Sequence, residues 1–187
     1  MLKYILLGFL NMHAHTGYDL HAHLETSTAH FWNAKLSQIY VTLKKMESDG
    51  LIQSEIEEQD DRPDKRIYSI TDSGRTELQD WLDKPHTTVD QMKSKMLLRL
   101  FFAGFHNLDT VITELNLQKA LHEQRLRYYR TETRQIIDIG AESTPNGDYH
   151  KIFWDATREF GERYEAMVVE WLTETIQILS TMQVEKE

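Results

Sequence analysis

The chain has 187 residues, 40% of them apolar, which is enough for one large domain or two small ones with packed cores. It contains no cysteine, which excludes disulfide staples, thiolate chemistry and Cys-ligated zinc, and suits a reducing cytoplasm. The net charge is −9, with nine Lys/Arg against fourteen Asp/Glu in residues 1–84 and twelve against sixteen in 85–187, so any grip on a polyanion must come from locally clustered cations.

Leu2, Ile5, Leu6 and Phe9 recur at helical spacing and predict a first helix. The apolar run from Leu2 to Leu10, interrupted by Lys3, is too short to span a membrane and lacks a small-residue cleavage site. A soluble, cytoplasmic protein is expected. Thr16, with Asp19 three residues on, has the form of a capping box and predicts a second helix, with Tyr18, Leu20 and Leu24 in its core or on its flank.

Leu36, Ile39, Leu43 and Met46 mark the buried stripe of a third helix, with Ser37, Gln38, Val41, Lys44, Lys45 and Ser48 on the opposite face and Tyr40 and Thr42 at its flanks. Gly50 is a C-cap candidate. Ile52, Ser54 and Ile56 then alternate with polar residues, and Tyr68 and Ile70 resume the alternation after a polar loop, which predicts a hairpin. Its tip, 59 to 65, contains Pro63, and Arg62, Lys65 and Arg66 gather there among Asp60, Asp61 and Asp64. Thr71 and Asp72 offer an N-cap for a helix from Gly74 to Leu82, whose Leu78, Trp81 and Leu82 pack back or lead onward.

Three helices, a hairpin and a fourth helix make the order of a winged helix-turn-helix over residues 1–84. In that reading Ser37, Gln38 and Val41 reach base edges with Tyr40 flanking them, Lys44 and Lys45 meet phosphates, and Arg62, Lys65 and Arg66 meet phosphates or the minor groove of double-stranded DNA. The competing reading is a solvated helix face beside a charged turn that contacts nothing, or a winged helix kept for protein contacts, which the acidic balance favours.

After Lys84 and Pro85, three helical segments are expected at about 90–105, 108–140 and 149–182, separated by His106-Asn107 and by the loop around Pro145 and Gly147. In the last, Phe153, Ala156, Phe160, Tyr164, Met167 or Val168, Trp171 and Leu172, then Ile178 or Leu179, recur at threes and fours. Two long amphipathic helices on so small a core predict that part of their surface goes to a second copy. The fold class is therefore mainly α: an α+β winged helix-turn-helix domain, then an all-α dimerisation and effector domain over 85–187. Trp32, Tyr128, Trp154 and Trp171 are candidates to line a pocket for a small aromatic effector, though aromatics at helical spacing also serve simply as core or interface.

Five of nine histidines fall in eighteen residues, as His13, His15, His21, His23 and His30. On a helix, positions two apart point about 200° from one another, so neither close pair chelates unless it lies in a loop or strand. His13 and His15 are expected in the loop between the first two helices, and no metal or other cofactor is expected. There is no phosphate loop, no Gly-x-Ser-x-Gly elbow, no His-Glu-x-x-His and no Cys nucleophile, so an enzyme is not expected.

The runs GYDL at 17–20, SQIY at 37–40, L-x-x-M-x-x-x-GLI at 43–52 and R-P-x-x-R-x-Y-S-I-T-x-x-G at 62–74 together resemble the PadR family of transcriptional regulators. KSKMLLRLFFAGF at 93–105 and WL at 171–172 resemble the helical dimerisation domain of its longer members. The resemblance implies a homodimer on a pseudo-palindromic operator, usually repressing and often released by a small aromatic or hydrophobic molecule. It places the contact helix at 34–49 and the wing at 57–67. Asp60, Asp61 and Asp64 among the wing cations, and Val41, depart from the family pattern.

Overall fold

The computed structural model describes residues 1–28, 31–58 and 64–184, with side chains to residue 182. The chain forms two compact units, Met1–Thr87 and Thr88–Glu187. The architecture is mainly α, an α+β winged helix followed by a helical region.

In the first unit, α1 (Leu2–Met12), α2 (Gly17–His23) and α3 (Leu36–Ser48) pack against a small sheet and α4 (Asp72–Leu82). Leu6, Leu7, Leu20, Leu24, Ile39, Leu43 and Met46 are almost wholly excluded from solvent. Tyr4 stacks on Trp81 at 4.6 Å and Lys3 donates to Glu77 at 2.6 Å, which ties the two terminal helices together.

Local chemistry places these elements. The Thr16 hydroxyl accepts the Asp19 backbone N–H and the Asp19 carboxylate accepts the Thr16 N–H, both at 3.1 Å, which completes the capping box of α2. Past His23 the helix widens into a π turn, Leu24–Thr28. There the hydroxyls of Thr26, Ser27 and Thr28 donate to the carbonyls of Ala22, His23 and Leu24, and such back-bonding opens the helical ladder.

The sheet has a strand that the alternation did not predict. β2 (Ile52–Glu57) and β3 (Lys65–Ile70) form the expected hairpin, with Ser54 opposite Tyr68 and Glu57 opposite Lys65. β1 (His15–Thr16) adds to the free edge of β3 in the order β1-β3-β2. Two residues carry no readable period, and His15, expected in a loop, pairs with Tyr68.

The second unit runs α5 (Lys95–Phe101), a 3-10 turn at Ala103–Phe105, α6 (Leu108–Arg130), α7 (Glu132–Ser143) and α8 (Gly147–Val184). Its first helix begins later than expected because the Ser94 hydroxyl accepts the Leu97 N–H and caps it there. The segment expected as one helix over 108–140 is broken at Thr131, where φ is −113° and ψ is −73°. The Thr131 and Thr133 hydroxyls donate to the carbonyls of Arg127 and Tyr128, and neither Gly nor Pro announces the break.

α6 and α8 lie antiparallel, with Val111 and Leu115 against Val168 and Leu172, His122 against Glu165, and Tyr129 against Arg158 and Gly161. This interface buries charge: Glu165 and Arg158 are 3% and 4% exposed. Glu165 pairs with His122, while Arg158 donates to Asp155 and Glu162 at 2.6 and 2.7 Å. Burial, with Glu165 nearby, pushes the Tyr129 phenol up to about 12.

Candidate nucleic-acid interface

α3 turns Ile39, Leu43 and Met46 into the core, and its helical period then puts Ser37, Val41, Lys44 and Lys45 on the outside. Val41 is 72% exposed on that outer face. Lys44 and Lys45 stand exposed about two turns into the helix, and among the described residues neither makes an ion pair. Gln38 has a second role, since its side-chain carbonyl accepts the Lys35 backbone N–H at 2.9 Å and leaves the amide nitrogen to donate outward.

Tyr40 explains why GYDL and SQIY occur together. Its ring lies over Gly17, so close that a Cβ there would meet Cε1 at 2.6 Å. The contact locks α2 to α3, the pair that must hold its angle for α3 to enter a groove. Gly74 has a harder constraint, because a Cβ would meet the Leu51 carbonyl oxygen at 2.1 Å. Beside it the Thr71 hydroxyl donates to the Gly50 carbonyl at 2.7 Å and accepts the Gly74 N–H. Gly50 itself has φ +71°, the left-handed conformation that ends α3 and aims the chain into β2.

The wing cations divide. Lys65 is exposed at the start of β3, and Arg62 lies outside the described residues. Arg66 is engaged: its Nε donates to the Ser54 hydroxyl and its Nη2 to the Glu47 carboxylate, both at 2.8 Å, and its guanidinium lies 5.6 Å from the Tyr68 ring centre. Glu47 and Ser54 were not among the expected site residues. Glu47 is nineteen positions from Arg66, and only the hairpin brings them together.

The four aromatic effector candidates fall in different parts of the chain. Trp32 belongs to the first unit. Tyr128 borders a shallow cavity of about 400 Å³ with Gln118, Leu121, His122, Gln124 and Arg125. Trp154 stacks on His150 near Gly140, and Trp171 packs beside Val168 and Leu172. Seventeen residues of continuous helix separate the last two, a rise of roughly 25 Å.

The histidines pair differently from their order in sequence. His15 lies edge-on to His23 at 4.7 Å and to His13 at 6.3 Å. Burial first, then His23, holds the His15 imidazole below its ordinary value. Among the described residues no three His, Cys, Asp or Glu side chains are arranged to hold a metal, and His30 lies outside them. No helix there is long and apolar enough to cross a membrane.

Residues 6–80 match the transcriptional regulator PadR-like family, and residues 92–180 match the family described as virulence activator alpha C-term. The chain carries a PadR-like domain of the transcriptional-regulator type, followed by the virulence-activator C-terminal domain. Among PadR-like proteins it is 29% identical over 188 residues to the probable transcriptional regulator Rv1176c of Mycobacterium tuberculosis, covering 95% of this chain and 97% of that one. It is 36% identical over 102 residues to the negative transcriptional regulator PadR of Bacillus subtilis, a match spanning 54% of this chain and 56% of that regulator. The structure of Bacillus subtilis PadR in complex with operator DNA aligns over 95% of this chain and 98% of that one, at 26% identity and TM-score 0.79. The same protein with p-coumaric acid aligns over 96% and 98%, at 25% identity and TM-score 0.72. This PadR-like chain is thus a regulator rather than an enzyme.

Proposed function

We propose that this chain is a cytoplasmic homodimeric repressor that binds a pseudo-palindromic operator and is released by a small aromatic acid. The observation that carries the reading is the outward face of α3, where exposed Tyr40 and Val41 sit beside exposed Lys44 and Lys45 next to the wing. Ser37, the Gln38 amide, Tyr40 and Val41 meet base edges; Lys44, Lys45 and Lys65 meet phosphates, together with Arg62. The operator complex of Bacillus subtilis PadR supports this use of the fold, and its p-coumaric acid complex supports an aromatic acid as effector.

Dimerisation draws support from the second unit. The apolar stripe of α8 splits in two: Val168 and Leu172 turn to α6, while Phe153, Phe160, Met167 and Ile178 remain exposed, the first three at intervals of seven. An outward seam of that period suits a second helix. Two copies present the contact helices about 34 Å apart, one turn of DNA.

Mobility shift with the DNA upstream of its own gene tests the reading. Four cations from each of two protomers give a slope of log affinity against log salt of about −7. A complex that ignores salt, or no complex below micromolar at low salt, overturns it. The second reading is a winged-helix module for protein contacts, favoured by the excess of acidic residues in 1–84. It predicts dimer formation on a sizing column without any shift of DNA.

A further inference from the structure

The three residues Glu47, Ser54 and Arg66 form a closed triangle across the joint between α3 and the wing. Arg66 reaches back from β3 to a hydroxyl on β2 and a carboxylate in the last turn of α3. Ser54 donates its own hydrogen to the other oxygen of Glu47, so both carboxylate oxygens are used. A carboxylate in the last turn of a helix faces the negative end of the helix dipole and needs compensation. That compensation comes from the wing. The Ser54 hydroxyl first, then Arg66, hold the Glu47 carboxyl below the usual range.

We infer that this triangle is a clasp that sets the angle of the wing on the contact helix, and that Arg66 is a positioning residue rather than a phosphate ligand. The clasp rests on the DNA-binding reading above and gives one of its cations a different role. A guanidinium can hold two acceptors at once in a fixed plane, and with Nε on Ser54 and Nη2 on Glu47 that edge of it is committed inward. A phosphate approaching that edge of Arg66 would compete with a carboxylate already seated there. Lys44, Lys45 and Lys65 have no such competitor among the described residues, so the phosphate contacts fall to them.

Two substitutions in the full-length protein separate charge from geometry. Arg66→Lys keeps the positive charge but cannot bridge Ser54 and Glu47 together, and Glu47→Gln removes the competing charge. If Arg66 positions the wing, both variants weaken binding to the upstream DNA fragment about tenfold, with the salt slope unchanged. In the free proteins, amide hydrogen exchange then quickens across β2 and β3. Ser54→Ala, the mildest change, gives a smaller loss of the same kind. If Arg66 is a phosphate ligand, Arg66→Lys binds as the wild type does, and Glu47→Gln binds more tightly because a phosphate loses its competitor. Either outcome overturns the clasp, as does unchanged exchange in Glu47→Gln. Should the wild type itself fail to bind, the regulator reading falls and the exchange measurement alone decides for or against the clasp.

Discussion

The two units distribute charge and apolar surface differently. In the first, aliphatic side chains fill the interior and charges stand outside; in the second, Arg158, Glu165 and His122 lie between helices while Phe153, Phe160 and Met167 face outward. An apolar interior stabilises a small domain without help, and leaves its polar face available for DNA. A helix pair that buries charge beside its apolar contacts and leaves other apolar residues outside gains most when something covers it.

The largest effect expected from breaking this contrast is in the first core. Leu43→Ala removes a wholly buried side chain and should cost about 3 to 4 kcal/mol in a denaturant melt of the first unit. In the second unit, Glu165→Ala strands His122 and should cost about 2 to 3 kcal/mol. There the double replacement His122→Leu, Glu165→Leu should recover most of the loss. A double variant no better than the single would show that the buried pair contributes net stability.

Smaller effects sharpen the role of the reading face. Lys44→Ala with Lys45→Ala should weaken binding to all DNA sequences alike and make the salt slope shallower by about 3 to 4 for a dimer. Gln38→Ala should instead shift the preferred sequence in a selection experiment; identical behaviour of the two variants would contradict the division of labour along α3.

The smallest effect concerns acid. The His15 pKa is lowered in the folded state, so below about pH 6.5 the unfolded chain takes up a proton that the folded chain resists. The stability from a neutral His15 is full above that pH and declines as pH falls toward the folded value. Asp19 opposes the shift, whereas His13 and His23 reinforce it. His15→Gln should flatten the decline of melting temperature between about pH 7 and 5; an unaltered decline would assign it to other groups.

Much of the fold was legible because its signals are local. Thr16 with Asp19, Thr71 before α4, the alternation at 52–56 and 68–70, and Gly50 each act within four residues of where they stand in sequence. The stripe of α8 was legible as a stripe, but its choice between Val168 and Met167 was not. That choice depends on where α6 lies. The break at Thr131 was hidden because threonine is compatible with a helix, and only its hydroxyl contacts reveal the interruption.

The candidate site divides along the same line. The outward face of α3 followed from the helical period alone, since a stripe that buries Ile39, Leu43 and Met46 must turn Val41, Lys44 and Lys45 outward. Arg66 read as a free cation because charge is visible in sequence and pairing is not. The dispersal of Trp154 and Trp171 along one helix is likewise a fact of geometry that composition does not carry.

Sequence by itself determined the order of elements, their caps and the outward face of the contact helix, because hydrogen bonds within a turn and helical periodicity act at short range. Tertiary structure alone decided which cations are committed, which glycines lie under neighbours and which side of α8 is left uncovered. Those properties depend on contacts between residues far apart in the chain, as with Glu47 and Arg66 or Gly17 and Tyr40, and such contacts exist only once the chain has closed on itself.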